Sequence, residues 1–488
     1  MKAQHQLFSV QRAKTVKLER KKKRASGGVF SINSFFRPIF NSIKFATLAA
    51  LISPISVKAD HGVFNPETYT LSNGMQVVVV SNHRVPVVSH MVWYKVGSAD
   101  ELPGKSGVAH LLEHLMFKGT KKFPSGKFSK KVASVGGSEN AFTSLDYTGY
   151  YQNIAVEHLE DMMHMEADRM KNLVFNPKEV ETERLVVLEE RSQRIENSPH
   201  SILNEHLKTA LFMNHPYRRP IIGWKHEIKA LTVNDLRAFY EKWYTPSNAV
   251  LVVAGDITLE KLKPMADRTY GEIPASKAIQ KERPSEPPQK ASRLVILKDE
   301  RVRQGSYSRT FIAPSRVTSV SDGPGKEHSY ALEILSAVIG EGPTSQIYRS
   351  LVVDQKIAVS AGTFYSSDPQ GPSRFTFYAT PSSGVSMKAI EQALEKEIAF
   401  LLSDGVTKKD ITRVKKSLLA QAIYARDSFS AGAMSIGMAI ASGKKISDVE
   451  SWPHRISDVT VDQVNSAARA VFENRPSVTA ILEELDKK

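Results

Sequence analysis

The sequence predicts an α+β fold in two homologous domains, each a mostly antiparallel sheet with helices on one face. Three observations predict it. Short apolar strands are mixed with amphipathic helix pairs in both halves. A Pro- and charge-rich stretch, Ala275 to Ser292, has no periodicity, reads as an extended linker and divides the body near its middle. The two parts also resemble each other at their ends. LTVNDLRAFYEKWYTPSNAVLVVAGD, from Leu231, aligns without gaps with VTVDQVNSAARAVFENRPSVTAILEEL, from Val459, at an offset of 228. Thr232 then matches Thr460, Leu236 matches Val464, Tyr244 matches Phe472, and Val250 and Val253 match Val478 and Ile481. Each copy reads as a Thr-capped helix followed by a short apolar strand. A spacing close to half of the body favours a duplicated domain. The expected organisation is a leader (1–59), an N-terminal domain (60–274), a linker (275–292) and a C-terminal domain (293–488).

The leader comes first. Of 488 residues, the first 59 hold 12 Lys and Arg against one acid, Glu19. The rest of the chain holds 54 basic and 50 acidic residues, so most of the net charge of +15 is detachable. A nucleic-acid-binding body would carry its own basic stripe, and this body does not call for such a partner. The apolar run Phe45 to Val57 is followed by Lys58-Ala59-Asp60. A basic region, a short apolar core and a small residue before a polar start describe a secretory signal, cleaved after Ala59. Export, to a periplasm, is the expected address. The long basic region leaves a mitochondrial presequence, and hence the matrix, as the rival. The run is short and contains Pro54, so no stable membrane span is expected once it is removed.

Hydrophobic residues make up 41% and charged residues 24%, the profile of a globular chain rather than a fibre or multi-span protein. There are 0 Cys. Disulfides, Cys-ligated zinc, iron–sulfur clusters and Cys nucleophiles are therefore excluded, and any metal must be held by His and carboxylates.

Beyond the leader, Leu71-Ser72-Asn73-Gly74 reads as a tight primed turn opening a strand at Gln76–Val80. A second strand is expected at Val87–Val96, and amphipathic helices at Val156–Lys171 and Pro177–Arg194.

Between these elements lies GVAHLLEHLMF, Gly107–Phe117. On a helix, Val108, Leu111, Leu112, Leu115 and Met116 form one apolar stripe, while His110, Glu113 and His114 share the opposite face. Two imidazoles one turn apart can grip one zinc ion. A carboxylate between them can reach a water on that metal and act as general base. His-x-x-Glu-His mirrors the ordering of the zinc-protease motif His-Glu-x-x-His. The competing reading is an ordinary solvated His/Glu face. A catalytic zinc needs a third protein ligand and an open position. ERLVVLEERSQR (183–194) offers Glu183 and Glu190, two turns apart on one face, with Glu189 turned about 100° away. Glu190 suits a ligand and Glu183 a carboxylate that orients one. By itself this helix is also read as merely charged and amphipathic.

With Glu190 76 residues after His114, the set resembles the pitrilysin/insulinase zinc peptidases, the inverted zincins, in their processing-peptidase-like branch. GVAHLLEHLMFKGT (107–120), GGSENAFTSLDYTGYY (136–151) and HPYRRPIIG (215–223) are also similar to that family, and the likeness covers nearly all of residues 64–486. The resemblance implies one zinc per chain, with His110, His114 and Glu190 as ligands, Glu113 as base and Glu183 as supporting carboxylate. It implies two domains closing a clam-like chamber. It further implies that an edge strand carrying Asn140-Ala141 takes the peptide substrate as an added strand. Without the family, GGSENAFTS reads as a Gly-rich turn into an ordinary strand.

The second half departs from the active pattern. ALEILSAVIGEG (331–342) has no His where the metal helix would fall, as is usual for that domain of the family. Active members that work alone carry an Arg and a Tyr that contact the substrate carbonyl. Here Val352 and Val359 occupy the matching places, with Arg349 and Lys356 as nearby substitutes. Valine donates no hydrogen bond. A homologous subunit that supplies the Arg/Tyr pair is therefore expected. The expected function is a zinc endopeptidase acting on peptides or unfolded segments. Two rivals stand beside it: an organellar presequence-processing peptidase, and a non-catalytic assembly subunit that keeps the fold.

Overall fold

The computed structural model of the protein describes residues 62–485, and the leader with its cleavage site lies outside the described residues. The described residues fall in one compact unit. It contains two sheets. The first combines β1 (Glu67–Thr70), β2 (Gln76–Ser81), β3 (Val87–Tyr94), β4 (Ser138–Thr143), β5 (Thr148–Ala155) and β6 (Ala249–Gly255) in the order β1-β2-β6-β3-β5-β4. The second combines β7 (Arg293–Asp299), β8 (Ser306–Ala313), β9 (Ala358–Tyr365), β10 (Ser373–Pro381) and β11 (Val478–Glu484) in the order β7-β11-β8-β10-β9. Among the described strands, only β2–β6 and β7–β11 pair in parallel. Leaving β1 aside, the second sheet repeats the order and directions of the first.

The principal helices of the first half are α1 (Val108–Leu115), α2 (Leu159–Asn172), α3 (Pro177–Arg191), α4 (Pro199–Leu211), α5 (Val233–Trp243) and α6 (Leu259–Asp267). Those of the second are α7 (Ser329–Gly340), α8 (Met387–Asp404), α9 (Ala431–Ala441) and α10 (Val461–Phe472). The repeat seen in the sequence is visible as α5 and α10. Each begins at a Thr whose hydroxyl accepts from the third residue of the helix, Asp235 or Gln463, and each leads into a central strand, β6 or β11. Such a capping box satisfies two otherwise orphaned N–H groups.

Each half covers one face of its own sheet. Leu111, Leu112 and Leu115 of α1 join Met162 and Met163 of α2, Leu236 of α5, and Val77, Val79, Val92 and Leu251 of the strands. In the second half, Leu332 and Leu335 of α7, Ile390 and Leu394 of α8, and Phe472 of α10 pack with Phe311, Phe375 and Phe377.

The opposite faces are covered by exchange. Helix α4 lays Leu203, Leu207 and Leu211 on Val478, Ala480 and Leu482 of the second sheet. Helix α9 lays Ala433, Ile436 and Ile440 on Val78, Met91, Trp93 and Val250 of the first. The approach of α9 is close. A Cβ on Gly437 would stand 2.1 Å from Nε1 of Trp93, so only glycine fits there.

Two local expectations are revised. Of the turn pair Asn73-Gly74, only Gly74 has positive φ, +89°. Asn73 is buried, and its amide donates to the carbonyls of Tyr270 and Ile273, each at 2.8 Å. That tie holds the turn, so a primed geometry is not needed. Helix α3 stops at Arg191, and Ser192–Glu196 continue it as a π-helical turn.

Candidate metal centre

Helix α1 needs a firm start because its N-terminus is buried. Gly107 precedes it at φ +91°, and Gly223, also at +91°, packs directly on it. A Cβ on Gly223 would lie 2.6 Å from the Cα of Gly107, so two glycines are required where the 215–223 motif meets the metal helix. The buried carboxylate of Glu101 then accepts the N–H groups of Gly107 and Ala109, both at 3.0 Å. A carboxylate suits the positive end of a helix. Burial pushes the Glu101 carboxyl up to about 8, against the pull of those N–H groups and of Arg219. Helix α3 is tied to the same place. Arg191 donates to the carbonyl of Gly223 at 2.9 Å and to both oxygens of Glu205.

On this footing His110, His114 and Glu190 converge, with one donor atom from each inside a 4.8 Å sphere of mutual distances. Glu190 Oε2 lies 3.3 Å from His114 Nε2 and 3.7 Å from His110 Nε2. A tetrahedral zinc with bonds of ~2.0–2.1 Å sets its ligand atoms roughly 3.4 Å apart, so this donor set fits the ion in both spacing and chemistry. Glu183 Oε2 stands 3.3 Å from His114 Nδ1, the position of a carboxylate that orients a ligand. His110 has no such support. Its Nδ1 is buried without a hydrogen-bond partner among the described residues.

Glu113 sits beside these groups, and its Oε2 accepts the Thr143 hydroxyl from the end of β4. Burial pushes the Glu113 carboxyl up to about 7, although Thr143 and His114 pull the other way. Burial, the neighbouring His114 and Arg194 press His110 down to about 4. Burial also opposes a charge on His114, but Glu190, Glu113 and Glu183 outweigh it and raise that group. The hydrogen bond from His114 holds Glu190 below the usual carboxylate range.

The residues that sequence reasoning grouped as metal ligands, base and supporting carboxylate are thus found together. Asn140 and Ala141 lie on β4, the edge strand, opposite Tyr151 and Tyr150 of β5. Ala141 N–H is taken by the Asn140 side-chain oxygen at 2.9 Å, so it points away from β5. Four contributors escaped the sequence reading: Glu101, Thr143, Lys118 and Arg194. Lys118 Nζ reaches Glu183 Oε1 at 2.6 Å, and Arg194 Nε reaches Glu190 Oε1 at 2.8 Å. Lys118 follows His114 by four residues, as Arg194 follows Glu190. Helical spacing was the available signal for the Arg194–Glu190 pair, whereas Lys118 meets Glu183 across two helices and had none.

A paired-sheet α+β fold with a His-His-Glu cluster on two adjoining helices defines a class of metallopeptidase scaffold. The chain belongs to the insulinase family, peptidase family M16: residues 76–225 match the model of that family and residues 230–418 match the model described as the M16 inactive domain. It is 29% identical over 445 residues to a zinc protease named PqqE from Helicobacter pylori, covering 91% of this chain and 97% of that one. It is 30% identical over 412 residues to an uncharacterized zinc protease, ML0855, of Mycobacterium leprae, covering 83% and 89%. The crystal structure of a protease from Helicobacter pylori superposes with a TM-score of 0.80 at 28% identity, covering 86% of this chain and 99% of that one. These relatives are named as zinc proteases or as a protease, and with the family match they place this chain in a family of peptidases.

Proposed function

We propose that the protein is a zinc-dependent endopeptidase that hydrolyses peptides or unfolded protein segments. The observation that carries this reading is the convergence of His110, His114 and Glu190, with Glu113 beside them. Those three side chains would hold the ion, one per chain. When bound, zinc supplies Lewis acidity toward the scissile carbonyl and toward water. Glu113 then does the proton work. Its Oε2 is engaged by Thr143, which leaves Oε1 to take a proton from the attacking water and return it to the leaving amine. Glu183 holds His114 in the tautomer that offers Nε2 to the ion. A peptide adds to the edge at Asn140-Ala141, and its backbone replaces the Asn140 side chain on the Ala141 N–H.

The experiment pairs two variants. Purified wild type should carry about one zinc per chain and cleave an unstructured peptide, whereas Glu113→Gln should keep the zinc and lose ~10²–10⁴-fold in rate. A His110→Ala/His114→Ala protein with full zinc, or a Glu113→Gln protein with near-normal turnover, sinks the assignment.

The same reading includes a partner. Val352 packs against the second core and Val359 is half exposed on the edge strand β9, and neither side chain can donate. Loss of such a donor typically costs ~10²–10³ in rate, which a homologous subunit with an Arg and a Tyr would restore. Export, with a mature start near Asp60, is part of the proposal and rests on the composition of the leader.

A further inference from the structure

Arg194 has a role that neither the zinc-binding motif nor the edge strand accounts for. It lies in the π-helical turn Ser192–Glu196 that follows α3. π turns inside helices occur often at functional sites. Its Nε contacts Glu190 Oε1, the carboxylate oxygen on the side away from the two imidazoles. The contact is made through Nε, and the exposure of the side chain turns the rest of the guanidinium toward solvent. The side chain is 73% exposed, whereas Glu190, which it touches, is 18% exposed, and His110 and His114 are 12% and 21% exposed. Arg194 therefore stands at the open side of a recessed site. Its charge is felt at His110, Glu113 and Glu190 alike. Lys118, the other cation in contact with this group, is only 27% exposed and is committed to Glu183.

The exposed, planar cation beside a reaction centre suits an oxyanion taken in a forked contact, and the oxyanion that a peptide side chain offers is a carboxylate. We infer that Arg194 forms a subsite for an acidic side chain of the bound peptide, near the scissile bond, and so biases the enzyme toward acidic sequences. The inference rests on the peptidase reading above and names its substrate class. The alternative is that Arg194 serves only to brace Glu190 as a metal ligand.

The test uses zinc-loaded Glu113→Gln protein, so that binding is read without turnover. A short unstructured peptide carries Glu, Gln or Lys at each position in turn, and affinities are measured by fluorescence anisotropy. Exposed ion pairs contribute modestly, so Glu should bind roughly two- to fivefold tighter than Gln at one or two positions. That preference should vanish in Arg194→Gln, turn toward Lys in Arg194→Glu, and weaken with added salt. Zinc content at saturating metal should be the same in all three. Equal Glu-to-Gln ratios with and without Arg194 overturn the inference, as does loss of zinc from Arg194→Gln, which would assign the residue to bracing. A wild-type chain that binds these peptides but cleaves none, alone or mixed with a homologous subunit, sinks the peptidase reading, whereas the charge ratio is read from binding alone and stands or falls on the Arg194 variants.

Discussion

Glu183 offers the sharpest division between a metal ligand and the group that orients one. In the structure it touches His114 Nδ1 at 3.3 Å with one oxygen and Lys118 Nζ at 2.6 Å with the other. Replacing it by Gln keeps an acceptor for His114 but removes the charge. A charge-assisted hydrogen bond is about twice as strong as a neutral one, and a neutral one contributes about 1 kcal/mol. The loss is thus ~1–1.5 kcal/mol, close to tenfold in zinc affinity. Glu183→Ala removes the acceptor as well and should approach 100-fold, the upper range for groups that support a metal ligand. Lys118 is 27% exposed, so it can turn to water when its partner goes, and the fold should survive both changes. The assay is competition against a chelator of known affinity, with metal analysis for stoichiometry. Both variants should still reach one zinc per chain at saturation, unlike Glu190→Gln, in which a poor ligand replaces a good one. Wild-type affinity in Glu183→Ala would refute the reasoning, and so would loss of stoichiometry to the level of Glu190→Gln.

Other outcomes follow from the packing and the charges. Gly437→Ala pushes a methyl against Trp93, so despite alanine's better helix propensity it should lose about 1–3 kcal/mol, seen as a lower melting temperature; an unchanged melt would show that α9 can shift. Burial and the nearby Arg283 press His215 down to about 4 from 6.5. Being neutral in the fold and readily protonated when unfolded, it contributes stability that is present above pH 6.5 and lost as pH falls toward 4, about 3 kcal/mol in all. Chemical denaturation of wild type and His215→Gln across that window should show a flatter profile in the variant, and parallel profiles would remove His215 as the cause. Peptide hydrolysis by the isolated chain should be feeble and rise on mixing with a homologous subunit that has the Arg/Tyr pair but no His-x-x-Glu-His; full activity alone, unchanged by the partner, rejects the shared site. Mature protein from the native host should begin near Asp60, and an intact Met1 in a cytosolic fraction counters export.

What could be read from the sequence depended on distance along the chain. The helix at His110–His114 was legible because its ligands and its apolar stripe obey one short period. The duplication was legible because Thr232 and Thr460 make the same cap at a fixed offset. Thr143 was not, since it meets Glu113 only because β4 closes the edge of the sheet next to α1. Glu101 drew no reading, since nothing local says that it ends up buried under the two N–H groups at the start of α1. Arg194 sat in a charged run that reads as solvated surface; its four-residue spacing from Glu190 was legible, but the π turn that continues the helix there was not. The exchange of α4 and α9 was equally hidden. An apolar stripe announces that a helix will be covered, but not which sheet will cover it.

That exchange bears on how the molecule can be divided. A nick between residues 275 and 292 would break one covalent connection, yet α4 would still be clasped by the second sheet and α9 by the first. The two fragments should therefore stay together until denatured, and should find each other when produced as separate chains. Either fragment alone would present a bare strip, Val478, Ala480 and Leu482 on one or Val78, Met91 and Trp93 on the other, to whatever apolar surface came near. Such an embrace also narrows the ways in which a substrate can enter. The two sheets cannot swing apart like doors without pulling both helices out of their seats.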